Sequence, residues 1–312
     1  MKKEIPEFKI KHKDFYSIPH KTSTLDFSTP VNGSSFEDFL NSLPSILAAT
    51  DFKKIVDAIV CAYYNKKPVI IGMGAHVIKC GLAPIINQLI DEGIITGIAM
   101  NGAGIIHDSE IAMFGSTSEN IEEGLYNSFG MSKQTMDFFT DVAKESLDLE
   151  FPSLGSCVGN QLLKKECRYN DKSILAKCSE KDIPCTVHVA FGTDTIHMNP
   201  DFDAREFGRL THNDFKIFTS MISELEGGVY INLGSAVIMP EVFMKSLTMI
   251  RNCGYKVDIF TTVNMDMVKQ YRPINNVLTR PKGDSYNLIG HHEIMIPLLA
   301  ASINFSLKYY EF

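Results

Sequence analysis

Residues 68–116 read PVIIGMGAHVIKCGLAPIINQLIDEGIITGIAMNGAGIIHDSEIAMFGS, and their order decides the fold. Val69, Ile70 and Ile71 are a short β-branched run that stops at Gly72, Gly74 and Ala75, after which apolar residues recur at helical spacing from Ile78 to Ile90. A second strand, Ile94 to Met100, is cut by Asn101-Gly102-Ala103-Gly104, and Ile105 to Phe114 is again helical in pattern. Two successive strand-to-helix turns of small residues therefore fall at the carboxyl ends of neighbouring strands, where open parallel sheets bind their ligands. With little or no Cβ in the way, backbone amides in such turns can approach a phosphate. Gly72, Gly74 and Gly81 do not reproduce G-x-G-x-x-G, and no acid stands at the usual distance beyond the first turn. Close packing of helix on strand is the other use such glycines have.

Outward from this stretch the alternation continues. Ser34-Ser35-Phe36-Glu37 has capping-box spacing ahead of Phe39, Leu40, Leu43 and Leu47, and Asp51 is placed to cap a helix through Ile55, Ile59 and Tyr63. Residues 118–122 open a short helix and Lys133 to Leu147 an amphipathic one. Asp182-Ile183-Pro184 leads into a strand at Cys185 to Ala190 that ends in Phe191-Gly192-Thr193-Asp194. Val229 to Leu233 is a fourth strand, ending in Gly234-Ser235-Ala236, followed by a helix from Glu241 to Asn252. Val257 to Thr262 is the fifth, and Glu293 to Ile303 a final helix launched from Gly290-His291-His292. The pattern predicts an α/β protein: a Rossmann-like, doubly wound, mostly parallel sheet with helices on both faces. Residues 1–32 are expected to be an irregular extension that wraps a neighbouring surface, and 33–312 a single domain.

Composition narrows the function. The 312 residues are 45% hydrophobic with a net charge of −7 and carry no block of five like charges, which argues against nucleic acid or an anionic membrane as partner. The amino terminus is basic but has no apolar core of a secretory signal, and no run approaches the roughly 20 apolar residues of a membrane span. Seven scattered cysteines with no C-x-x-C pair suggest neither a disulfide framework nor a thiolate zinc site, and a reducing cytoplasm is the expected compartment.

From about Val69 to Phe305 the order and wording of the segments resemble the deoxyhypusine synthase family. The resemblance rests on Gly81-Leu82, the strand and turn at Ile98 to Gly104, Asp182-Ile183-Pro184, Leu233-Gly234-Ser235-Ala236-Val237, Arg272-Pro273 and Ile296-Pro297-Leu298-Leu299-Ala300. It implies a single NAD-binding domain assembled as a homotetramer. It also implies a reaction in which NAD takes a hydride from a polyamine, the imine loses its propyl arm, and a lysine captures the aminobutyl group. Such chemistry calls for carboxylates at the ammonium ends, an aromatic face and a desolvated lysine. The chain departs from that pattern. It has no tryptophan, and INNVLTRPKGDSYN follows Arg272-Pro273, with Pro281 in the family's lysine position, Arg280 before it and Lys282 after it. Met239-Pro240-Glu241 replaces a lysine-histidine pair, and His197 stands where the family has a substrate-binding aspartate. Gly74-Ala75-His76 replaces a threonine-serine-asparagine run, and His107, beside Asp108, takes the place of the acid expected to hold the adenine ribose.

The residues give candidates of their own. His76 and Lys79, three apart at the start of a helix, can face one cleft and suit an anionic group. Adjacent histidines on a helix point apart, so one of His291 and His292 is expected at a ligand, and His291 is chosen. Lys282, His197 and Asp194 are the catalytic candidates, as amine nucleophile and as acid or base. Gly74, His76, Asn101, Gly102, Gly104, His107, Asp108, Gly234, Ser235, Thr262 and His291 are those for NAD, and the family resemblance implies that Asn264 and Asp266 lie over the nicotinamide. His107 and Glu110, at the opening of one helix, could be a metal pair but suit a first helical turn for dipole reasons alone, no metal is expected, and metal-ligand spacing elsewhere is absent. The expected function is an NAD-dependent deoxyhypusine synthase-like transferase in polyamine or amine metabolism. Histidine and lysine in place of carboxylates favour a substrate with negative charge, such as an amino acid. The alternatives are a non-catalytic nucleotide-binding scaffold and a homospermidine synthase-like enzyme.

Overall fold

A computed structural model describes residues 11–126 and 128–309. Of the amino-terminal extension, the first ten residues lie outside the described ones. The described residues form two compact units, one ending at Thr50 and the other running from Asp51. The first contains two single-turn helices, Phe15–Ser17 and Thr24–Asp26, and α1 (Phe36–Ser42), whose capping box pairs Ser35 with Asp38.

The second unit is the α/β body. Its elements are α2 (Leu47–Tyr64), which begins just before the boundary, β1 (Val69–Met73), α3 (His76–Lys79), α4 (Ala83–Asp91), β2 (Gly97–Asn101), α5 (Gly102–Phe114) and α6 (Ile121–Gly124). There follow α7 (Lys133–Ser146), α8 (Leu154–Lys164), α9 (Ile174–Glu180), β3 (Cys185–His188), α10 (Ala204–Ser223), β4 (Val229–Leu233) and α11 (Ile238–Asn252). The chain closes with β5 (Thr261–Asp266), a π-helical segment over Pro273–Thr279, β6 (Asp284–Ile289) and α12 (His292–Tyr309). The six strands are all parallel in the order β3-β2-β1-β4-β5-β6, so the chain reverses its direction of sheet growth between β1 and β4.

Both faces of the sheet are covered. Ile71, Ile231 and Leu233 meet Ile59, Ile86 and Leu89 of α2 and α4 and Ile296, Leu299 and Ile303 of α12. On the other face Tyr230 stacks on Phe243 of α11 with ring centroids 4.0 Å apart, beside Phe218 and Ile222 of α10. Burying these side chains is the main force that seats the helices on the sheet. Buried on both faces, β1 reads as a continuous apolar run, and β4 does so but for Asn232. No helix among the described residues is long and apolar enough to cross a membrane.

Three expectations are corrected. The helix expected from Ile78 to Ile90 is broken at Gly81, whose φ of +74° ends α3 and redirects the chain into α4. Asp51 lies inside α2 and does not cap it. The fifth strand runs over 261–266, four residues later than expected, because Thr261 is the residue that pairs with Val229.

Candidate functional site

All six strands deliver their carboxyl ends to one edge, and two polar groupings lie there. The first is at the point of reversal. Gly74 N donates to Leu233 O at 2.9 Å, which draws the β1 and β4 turns together, and Gly234 N donates to Met265 O at 2.9 Å, which ties the β4 turn to β5. A Cβ on Gly74 would lie 2.4 Å from Gly234 O, and Gly234 itself has a φ of +58°. Over Gly234 sits the ring of His292, the first residue of α12, so near that a Cβ on Gly234 would stand 2.6 Å from Nε2. His292 is 1% exposed and neither ring nitrogen has a hydrogen-bond partner. Burial pulls its pKa down, with His76 adding to the effect and Asp266 opposing it. The His76 ring lies 5.8 Å away, with Nε2 3.3 Å from Cys80 Sγ, and Cys80 Sγ is 3.9 Å from Glu293 Oε2.

The second grouping is a cavity of about 200 Å³ beside the start of α5, lined by Lys79, Ala103, His107, Glu110, Thr135 and Asp194 among others. Asn101 caps α5, its Oδ1 accepting from Gly104 N at 3.1 Å. Asp194 lies against the first residue of α5: a Cβ on Gly102 would be 2.0 Å from its Oδ2. That oxygen is buried and accepts no hydrogen bond, and burial raises the Asp194 pKa while His197 opposes the shift. The site at this helix start expected for a phosphate is therefore taken by a carboxylate of the chain, where free amides and the helix dipole favour negative charge. His107 Nδ1 lies 2.7 Å from Thr117 Oγ1, which donates to Glu110 Oε2 at 2.5 Å, and Thr135 Oγ1 donates to Glu110 Oε1 at 3.1 Å. Burial, then Lys79, lowers the His107 pKa to about 4. Glu119 also borders the cavity, with Oε2 accepting from Gly130 N at 2.7 Å.

Gly74, His76 and Gly234 thus meet at the reversal point, and Gly102, His107 and Asp194 at the cavity, with α3 carrying His76 and Lys79 between them. The other candidates are placed elsewhere. Asp108 is fully buried and accepts from Ser173 Oγ, Ile174 N and Leu175 N, so it holds the start of α9 and cannot reach a ribose. Gly104 faces inward, since a Cβ there would meet Met100 Sδ at 2.9 Å. Ser235 Oγ accepts from Met239 N at the start of α11. Thr262 is the second residue of β5 and lies toward its amino end, away from the site. Lys282 precedes β6 and belongs to the same amino edge, roughly 20 Å along a six-residue strand from the carboxyl edge. His197 braces its own loop: Nδ1 accepts from Gly192 N and Asp194 N, and the ring packs between Phe191 and Phe202. Of the histidine pair it is His292 that is buried at the reversal point, whereas the His291 side chain is 66% exposed.

Sequence reasoning missed Thr117, Thr135 and Glu119, whose roles come from a loop and helix folding back over α5. Only the His107 and Glu110 spacing, three apart on one helix face, signalled that grouping. Among the described residues no cluster of three or more metal-ligating side chains occurs.

No family model and no curated protein matches the sequence. Solved structures share the architecture. A proposed deoxyhypusine synthase from Entamoeba histolytica is 14% identical with a TM-score of 0.53, covering 94% of this chain and 96% of its own. ArgZ, an arginine dihydrolase from cyanobacteria, is 14% identical with a TM-score of 0.51 over 83% of this chain and 33% of its own. AgrE, solved with ornithine and NAD+, is 14% identical with a TM-score of 0.53 over 85% of this chain and 35% of its own. The chain spans about a third of the length of ArgZ and AgrE. At such identities the likeness establishes the fold: the chain has the α/β architecture found in deoxyhypusine synthase-like and NAD-binding proteins.

Proposed function

We propose that the protein is an NAD-dependent enzyme acting on a small amine or amino acid, with NAD across the reversal point and the substrate in the adjoining cavity. The observation that carries this reading is His292, a buried imidazole with two unpartnered nitrogens beside the crossing of the β1 and β4 turns. Buried polar groups are almost always satisfied, so an orphaned pair at the edge where such sheets bind ligands points to a group that completes it. In support of NAD at this point stand the two unpartnered His292 nitrogens, and AgrE, of which the likeness covers 35%, was solved with ornithine and NAD+. His292 and His76 would contact the cofactor, with the Gly74 and Gly234 backbones beneath it. The ribose acid expected at Asp108 has no counterpart there.

When bound, NAD supplies the hydride acceptor. The chain supplies the rest. Asp194 and Glu110 place negative charge where an ammonium would sit, and Lys79 offers a cation for a carboxylate. A substrate carrying both charges, such as the amino acid expected from the sequence, matches this lining better than an anion alone. Lys282 takes no part, and aminoalkyl transfer to it is left out of the reading. Assembly as a homotetramer, implied by the family resemblance, belongs to the proposal and is checked by light scattering.

The test is a thermal shift with NAD, followed by NADH absorbance with a panel of diamines and diamino acids. A shift with NAD and NADH formation with one of them are expected. No NAD shift overturns the reading, and binding without turnover of any amine assigns the scaffold alternative.

A further inference from the structure

We propose that Glu110 and Thr117 lock His107 in a single tautomer, with its proton on Nδ1, so that Nε2 offers the cavity an acceptor and selects ligands bearing an ammonium group over purely anionic ones. This rests on the reading of the cavity as the amine site.

The argument is a count of hydrogens. A carboxylate only accepts, so the one hydroxyl hydrogen of Thr117 is committed to Glu110 Oε2 at 2.5 Å. Thr117 Oγ1 then has only lone pairs for His107 Nδ1 at 2.7 Å, and Nδ1 must carry the hydrogen. The opposite tautomer would set two lone pairs face to face at that distance. A neutral imidazole has one hydrogen, so Nε2 is bare, and among the described residues no hydrogen bond reaches it. Burial and Lys79 both oppose a second proton on the ring. Thr135 fixes the other Glu110 oxygen, so the carboxylate cannot turn away. Asp194 also lines the cavity and adds negative charge there, although its undonated Oδ2 is itself buried. Lys79 is the one cationic side chain in the lining. The bare Nε2, in a wall that also carries Glu110 and Asp194, is therefore an unfilled acceptor to which an ammonium group can supply the missing donor.

Calorimetric titration with putrescine and with succinate, two probes of similar length and opposite charge, tests the selection. Proton–nitrogen correlation NMR of histidine-labelled protein reads the tautomer. The wild type is expected to prefer putrescine and to show Nδ1 protonated. Thr117→Val should weaken putrescine about tenfold and narrow the gap to succinate, since one charge-assisted contact is lost, while Thr117→Ser restores both. An Nε2-protonated ring, or an unchanged probe ratio in Thr117→Val, overturns the lock while leaving the amine site intact. If the wild type binds neither probe, the amine reading itself fails and the selection with it.

Discussion

Asp214 and Asp194 are both buried acids near the third strand, and they are built in opposite ways. Asp214, on α10, accepts from Leu154 N at 3.1 Å, Gly155 N at 3.2 Å and Val187 N at 2.7 Å, tying the start of α8 to β3. Asp194 leaves one oxygen with no donor at all. The histidines divide in the same way. His188 is buried at the end of β3 with Nε2 3.1 Å from Thr186 Oγ1, whereas both nitrogens of His292 are orphaned. Burial alone does not separate these residues, because all four are buried. Satisfaction does: Asp214 and His188 complete the fold, whereas Asp194 and His292 keep polar atoms without partners, which under the proposed function a ligand completes.

The comparison is broken most easily at its satisfied end. Asp214→Ala leaves three backbone amides unpaired in the interior, and a loss of about 3–5 kcal/mol in urea unfolding is expected. Its pH behaviour is a second check. Burial raises the Asp214 pKa from 3.8 to about 7 in spite of the three amides. The folded state then keeps a proton that the unfolded chain releases, so this residue contributes its full stability below pH 3.8 and loses it as pH rises through about 7. Asp214→Asn should flatten the fall in urea midpoint between about pH 4 and 7. A midpoint as steep in the variant as in the wild type would remove Asp214 as its source.

The unsatisfied end is expected to respond in function and not in folding. Asp194→Asn removes a charge that burial disfavours and that has one oxygen without a donor, so stability should hold or rise by up to about 1 kcal/mol, while putrescine affinity falls about tenfold or more. His292→Leu keeps much of the volume over Gly234 and removes two orphaned nitrogens. A melting temperature at or above that of the wild type is expected, with loss of the NAD-induced shift. Destabilisation of the Asp214 size in either variant would place that residue with the structural pair.

The elements that position this edge were legible wherever both faces of a strand are apolar. Val229–Leu233 was read with its observed bounds, and Val69–Ile71 fell two residues short because Gly72 and Met73 continue the strand. β6 was missed because Asp284, Ser285 and Asn287 read as loop residues. In the sheet, Asn232 donates to Asn264 and Asn264 to Asn287, both at 2.8 Å, a ladder of polar side chains across three strands. Asp108 was misassigned for a related reason. It follows a glycine turn, as a ribose-binding acid would, but its partner Ser173 lies 65 residues away, a distance that local spacing does not carry. The choice between His291 and His292 likewise depended on the angle at which α12 meets the β4 turn.

The smallest effect is expected at Lys282, and it sharpens the contrast between the two edges of the sheet. Lys282 stands in an exposed loop with a φ of +68°, between Pro281, whose carbonyl accepts from Arg251, and Gly283, which packs on Phe260. Its neighbours hold the loop to the amino edge, and the parallel order of all six strands puts the cavity at the other. To reach the cavity, the lysine would have to cross the length of β6, roughly 20 Å, which a side chain with a reach of several ångströms does not span. Lys282→Ala should therefore leave NAD binding, putrescine binding and NADH formation unchanged. A large fall in turnover with binding intact would mean that the amino edge of one copy completes the site of another, a result that light scattering and mixing with a His292→Leu variant would resolve.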